Sequence, residues 1–247
     1  MRRMAPGSAS ISFGPGALTP AVRILIAINV IGFVLSLAVP RLTIYFGLIP
    51  ALVLQRGWIW QPVTYMFQHG GLFHLLFNML ALWMFGVELE RLWGTRFFTR
   101  YYLVTGVGAA VTTLLVSLLP YEFAADMYQT VTVGASGAIY GLLLAYALTY
   151  PNRPIYMYFV FPIPAKYFVL LIGAISFFSS LTETRGGVAH AAHLGGILVG
   201  YLYLMGLRWH PVASARAQLM RWRMARLRKK FDVHQGGRSG GPDRWVH

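Results

Sequence analysis

Apolar stretches nearly free of charge recur along this chain, each close to the ~19–20 residues a helix needs to cross roughly 30 Å of hydrocarbon. Six are read, at roughly Ala21–Val39, Leu72–Leu89, Tyr101–Leu119, Val133–Tyr150, Ala165–Leu181 and Val188–Leu207. A chain patterned in this way is expected to be an all-α, polytopic membrane protein, since helices satisfy their own backbone in lipid. Composition points the same way. The sequence is 57% hydrophobic and 11% charged, whereas an average soluble domain carries about 25% charged residues. So little charge cannot cover a water-facing surface of this size. Hydrophobicity argues against disorder, and the absence of Cys excludes a disulfide scaffold.

The net charge of +14 would suit a nucleic-acid binder if it were spread over the chain, but ten of the 21 Lys and Arg residues fall between Arg208 and Arg244. No nucleic-acid partner is therefore expected. Lys and Arg beside short loops stay on the cytoplasmic side. With the N-terminus inside, 18 of them lie on inner segments, and only Arg41, Arg56 and Arg185 lie outside. Both termini are thus expected in the cytoplasm of a cell with a plasma (bacterial inner) membrane. The domain plan is a cytoplasmic segment 1–20, a six-span body 21–207 and a basic cytoplasmic tail 208–247. In the tail, Met220, Met224, Leu227 and Phe231 form one helical stripe among basic residues, which suits either a helix on an anionic leaflet or a solvated basic tail. Residues from Gln235 onward read as a Gly-rich disordered end. The first apolar run starts after about twenty mixed residues and is long enough to span, so a secretory signal is not expected. Leu42–Phe67, broken by Pro50, Arg56, Gly57 and Pro62, reads as a long aromatic-rich interfacial loop. Ile155–Phe161, ahead of Pro162 and Pro164, is read at the interface.

Polar groups inside spans are costly enough to mark function. Those singled out are His74 and Asn78 at the start of the second span, Ser136 at the start of the fourth, and His190 and His193 at the start of the sixth. All three even-numbered spans run inward from outside, so at 1.5 Å per residue these groups share one level, within about 10 Å of the outer surface. No Cys, Asp or Glu lies at that depth, which removes an aspartyl dyad and a helix-borne zinc protease. A hydroxyl beside imidazoles remains. Ser136 sits in Gly134-Ala135-Ser136-Gly137, at a helix start whose free N–H groups favour a developing oxyanion.

The chain resembles the rhomboid intramembrane serine proteases in His74-Leu-Leu-Phe-Asn78, in Gly134-Ala-Ser136-Gly137 with Tyr140, and in Ala192-His193-Leu-Gly-Gly196 followed by Gly200. Trp60–His69 resembles the family's first-loop segment, and Glu90-Arg91 with Gly94 its motif after the second span. Gln61 departs from the Arg common in the family after the loop tryptophan, and a looser loop is expected there. The resemblance implies a six-transmembrane-helix rhomboid-like bundle and a Ser-His dyad, with Ser136 as nucleophile and His193 as general base. It implies an oxyanion site made of the Ser136 N–H and the side chains of His74 and Asn78, and a Tyr140 ring packed on His193. Gly134, Gly137 and Gly196 are supporting positions. Substrates would be other transmembrane proteins, cut in or near their spans within the lipid bilayer, near the outer face. No cofactor and no metal are implied. By the same analogy the fifth span, with Phe168, Phe177 and Phe178, and the loop Ser179–Gly187 form the entrance and cap.

Plainer readings exist for each feature. The glycines could be a small-residue packing face, Ser136 could bond its own backbone, and His74 with Asn78 could fix helix packing. His190 reads as a loop-edge residue and His69 as a structural one. His74 and His193 could be axial ligands of haem or a metal, although such a site has no use for Ser136 or Asn78. A rhomboid-like protein that binds membrane clients without cutting them is the alternative function.

Overall fold

The computed structural model describes residues 15–157, 161–182 and 187–208. The chain divides into one unit, Met1–Met205, and a second, Gly206–His247. The tail stripe at Met220–Phe231, most of segment 1–20 and loop positions 183–186 lie outside the described residues.

The structure is mostly helical. Helix α1 spans Pro20–Ala38, α2 Arg41–Phe46, α3 Pro50–Arg56 and α4 Gln61–Thr64, the last running into a tight turn of helix at Tyr65–Phe67. Helix α5, Leu72–Ala81, continues through a widened turn at Leu82–Gly86 into α6, Val87–Trp93. Then come α7 at Thr95–Val116, α8 at Glu122–Gln129 and α9 at Ser136–Thr149. A short antiparallel hairpin of β1, Pro154–Met157, and β2, Phe161–Pro164, pairs Pro154 with Pro164 and Met157 with Phe161. Helices α10, Ala165–Thr182, and α11, Gly187–Arg208, close the described chain. Among the described residues, Pro20–Ala38 and Leu72–Trp93 are the two helices long and apolar enough to cross a membrane. Ser136–Thr149 and Ala165–Phe178 are shorter apolar helices.

The structure adds detail at three places. The segment Leu42–Phe67, read as an interfacial loop, is built of short helices, because Pro50 and Pro62 each sit in the first turn of one, where a missing N–H costs nothing. Of the stretch Ile155–Phe161, the described residues 155–157 and Phe161 lie in the two hairpin strands, so the chain is less than purely helical. The apolar run read from Val133 becomes helix only at Ser136, the helix start already read from its glycines, since Gly134 at φ +124° cannot be part of a right-handed helix.

Helix α7 packs against α9, and their interface is nearly solid. Tyr101, Tyr102, Phe98, Ala109, Ala138 and Leu142 are all fully buried. The outward face of α1 is apolar instead, with Ile24, Ile31, Val34 and Leu37 each more than half exposed, as expected of a helix solvated by lipid. The start of α1 has no capping side chain of its own. Glu90, at the end of α6 and almost wholly buried, supplies the cap from outside. Its carboxylate accepts the Ala21 N–H at 2.9 Å, the Val22 N–H at 3.0 Å, the Thr95 hydroxyl at 2.7 Å and the Thr19 hydroxyl. An anion at a helix N-terminus satisfies orphan donors and opposes the dipole. Next to it Arg91 donates to the Pro15 and Ala17 carbonyls, and the Trp83 indole donates to Gly16 at 3.1 Å, so the entry strand is strapped to α6. Glu90→Ala should therefore lower stability by about 2–4 kcal/mol, the cost of several buried donors losing a charged acceptor at once. Thermal unfolding in detergent micelles checks this, and an unchanged midpoint would contradict it.

Candidate active site

The segment entering α9 is held from the side by the loop helices. Leu48 and Thr132 exchange backbone hydrogen bonds at 2.9 and 2.8 Å, and the Gly134 N–H donates to the Tyr65 carbonyl at 2.9 Å. The Tyr65 hydroxyl donates in turn to the Gly106 carbonyl on α7 at 2.7 Å. Gln61 fastens the same loop. Its amide donates to the Ile44 carbonyl at 3.0 Å while its oxygen accepts the Ile49 N–H at 2.9 Å, with the side chain fully buried. The looser loop expected from Gln61 is thus not seen, because the shorter side chain fits between α2 and α3 and uses both ends of its amide.

This frame delivers Ser136 to the first position of α9. Its hydroxyl lies 2.8 Å from Nε2 of His193 on α11, a hydrogen-bond distance. Glycine contacts let α11 come so near. A Cβ on Gly196, three residues after His193, would fall 1.9 Å from the Gly137 carbonyl oxygen. One on Gly200 would fall 2.5 Å from the Tyr101 hydroxyl. The two helices therefore touch backbone to backbone, in the manner of small-residue seams.

The His193 ring is aligned by stacking. Tyr140, one turn after Ser136, lies parallel to it with centroids 4.1 Å apart and planes 7° apart. Ser176 of α10 donates to the Tyr140 hydroxyl at 3.2 Å and is itself buried. Nδ1 of His193 is buried without a hydrogen-bond partner among the described residues. Among the described residues the ring is thus oriented by Tyr140 and by Ser136 rather than by a carboxylate.

His74 and Asn78 face this pair from α5. A Cβ on Gly134 would sit 2.8 Å from Cε1 and Nε2 of His74 and 3.6 Å from the Ser136 hydroxyl. The missing side chain is what lets imidazole and hydroxyl share one small space, and φ +124° adds a second reason for glycine. Asn78 is buried with its amide nitrogen unpartnered among the described residues. His69 lies edge-on to His74 at 5.1 Å between centroids. Burial first, and His74 second, push His69 down to about 4, so it is neutral near pH 7. The stability that this neutral form carries is complete above the ordinary imidazole value and fades as pH falls toward 4. His190 stands 5.8 Å from His193, ring to ring at 82°.

The structure thus brings Ser136, His193, Tyr140, His74, Gly134, Gly137 and Gly196 together, with Asn78 one turn beyond His74 on α5. Phe177 and Phe178 lie on the open side of α10, 49% and 65% exposed. Positions 183–186 of the expected cap are outside the described residues. Sequence reasoning missed Ser176, Gln68 and Ser36. The last two bond to one another beneath the loop. Each is a polar residue next to or inside an apolar run, where nothing in linear order names its partner.

A family model described as Rhomboid domain matches residues 56–210. The chain is 30% identical over 215 residues to the rhomboid protease AarA of Providencia stuartii, covering 78% of this chain and 73% of that protein. It is 31% identical over 156 residues to the mitochondrial rhomboid protein 1 of Saccharomyces cerevisiae, covering 62% and 44%. With the rhomboid protease GluP of Bacillus subtilis it shares 31% over 152 residues, 61% of this chain and 26% of that one. The match thus spans less than half of the yeast protein and about a quarter of the Bacillus protein. These relatives come from a mitochondrion as well as from bacteria, so similarity assigns a membrane-embedded family and no single compartment. By motif, fold and family match, the chain belongs to the rhomboid family.

Proposed function

We propose that this protein is an intramembrane serine endopeptidase that cuts transmembrane proteins in or near their spans. The observation that carries the reading is the 2.8 Å contact between the Ser136 hydroxyl and His193 Nε2, with no carboxylate bonded to His193 among the described residues. With its proton on Nδ1, His193 presents a lone pair at Nε2 and takes the Ser136 proton as the oxygen attacks the scissile carbonyl. The tetrahedral oxyanion then forms beside the Ser136 N–H, which has no partner within α9 because it opens the helix. The unpartnered amide of Asn78 and the His74 ring are the further donors, and preorganised donors of this kind act at the moment charge develops. His193 next hands its proton to the leaving amine, and water repeats the sequence to release the acyl group.

Depth supports the membrane part of the reading. Helix α9 has 14 residues, about 21 Å against a core of ~30 Å, so a bilayer-crossing path through α9 leaves Ser136 beneath one surface. Non-helical backbone such as Thr132–Ala135 is tolerated at that level only where protein or a wet cavity surrounds it. Six spans in residues 21–207, both termini cytoplasmic and the site near the outer face of a plasma membrane complete the proposal, together with a basic tail at 208–247.

A single-span reporter co-expressed in membranes tests the function. The intact chain should release the cut fragment, and His193→Ala at equal expression should not, with a fall on the order of 10³-fold or more. Reporter that is bound and never cut by the intact chain would instead mark a client-binding protein.

A further inference from the structure

Helix α7 carries a groove along part of its length. Near its start, Arg96, Thr99, Arg100, Leu103 and Val104 line a shallow cavity of about 480 Å³. Leu103 and Val104 are shared with a second cavity of about 570 Å³, which continues past Val107, Gly108 and Val111 and has Val199 of α11 as its far wall. Positions 96, 100, 103, 107 and 111 recur at steps of three and four and therefore lie on one helix face. From Arg100 to Val111 this face is about 16 Å long, half of a ~30 Å hydrocarbon core and so the depth of one leaflet.

The two ends of the groove differ in chemistry. Among the described residues the sole ion pair joins Arg153 and Glu88, so neither Arg96 nor Arg100 is matched by a carboxylate, and both are exposed. Glu90 reaches the groove wall through Thr95, but its oxygens already accept four donors from Thr19, Ala21, Val22 and Thr95. The far end is apolar. Its one hydroxyl there, on Thr112, is engaged with the Gly108 carbonyl at 2.9 Å.

We infer that this groove holds one anionic membrane phospholipid. The phosphate lies between the guanidinium groups of Arg96 and Arg100 with the Thr99 hydroxyl beside them, and one acyl chain runs along Leu103, Val107 and Val111. Basic positions just outside the hydrocarbon attract anionic headgroups, and guanidinium matches phosphate by paired hydrogen bonds. A second protein helix would fill the apolar part and leave both cations stranded at its edge, so charge complementarity favours the lipid. This inference is independent of the peptidase reading and rests only on the chain being embedded in a membrane.

Native mass spectrometry of the full chain in mild detergent, titrated with phosphatidylglycerol or with phosphatidylcholine of the same chains, tests it. The intact protein should retain phosphatidylglycerol in preference. Arg96→Ala with Arg100→Ala should weaken that binding about thirtyfold, the loss expected for two cations at an anionic surface, and lysine at both positions should restore only part of it, since an ammonium keeps the charge without the paired hydrogen bonds. Val111, 44% exposed, accepts a tryptophan without entering the core. Val111→Trp should also weaken retention, by occupying the chain's path. Equal binding of the two lipids by the intact chain, or unchanged binding by the double alanine variant, would overturn the proposal. Displacement by inorganic phosphate with Val111→Trp silent would overturn it too, by reducing the site to a free-anion site.

Discussion

Ser136→Ala is expected to reduce reporter cleavage to background, a fall on the order of 10⁴-fold or more, while the folded chain keeps its thermal midpoint. The nucleophile and its base act as one unit, so loss of either removes nearly the whole chemical advantage. The fold has little at stake in this hydroxyl. It is only partly buried, and its one described partner is the His193 ring, which keeps its stack on Tyr140 at 4.1 Å when the oxygen is gone. A large loss of activity with no loss of stability separates a reacting group from a packing one. Reporter cleavage beside thermal unfolding of the same preparation reads both. Cleavage that survives in Ser136→Ala would move the nucleophile elsewhere.

The second large effect falls on a residue with no chemistry. Gly196→Ala places a methyl group 1.9 Å from the Gly137 carbonyl oxygen, well inside van der Waals contact, and the atom it meets is backbone with no rotamer to escape into. Helix α11 must move off α9. His193 lies one turn before Gly196 and moves with it, away from a serine that it now meets at 2.8 Å. Overpacking costs about 1–3 kcal/mol, occasionally more, and an ångström of misplacement costs about 10²-fold in rate. The expected result is therefore a lowered unfolding midpoint together with cleavage reduced at least 10²-fold. A variant of wild-type stability and activity would mean that the two helices are not in contact at this point.

These two residues also show how far the sequence alone can be read. The motif around Ser136 marks the residue because a hydroxyl between glycines at a span start has few structural uses, and His193 stands out because imidazole is costly in lipid. The glycine spacing in Gly196 and Gly200 signals close packing, yet it does not say against what. That partner, the Gly137 carbonyl, is set by how α11 crosses α9 and is invisible in linear order. The loop was misread for a related reason. Gln61 reads as a departure from a family pattern, whereas its worth comes from two backbone groups, at Ile44 and Ile49, that only folding brings to either end of its amide. Ser176 was overlooked because one serine in an apolar run carries no pattern of its own. Its role depends on Tyr140, thirty-six positions away. The apolar run is read from Val133, yet the helix starts at Ser136, where the flanking glycines already placed a helix start; hydropathy does not register the positive φ of Gly134.

The central claim is that His193 activates Ser136, and covalent labelling tests it most directly. The folded chain in detergent is treated with a serine-reactive fluorophosphonate, and the modified residue is located by peptide mass spectrometry. The account predicts one adduct, on Ser136, formed readily in the intact chain and at least 10²-fold more slowly in His193→Ala. An adduct on a different serine, or labelling of Ser136 at an unchanged rate without His193, would contradict it.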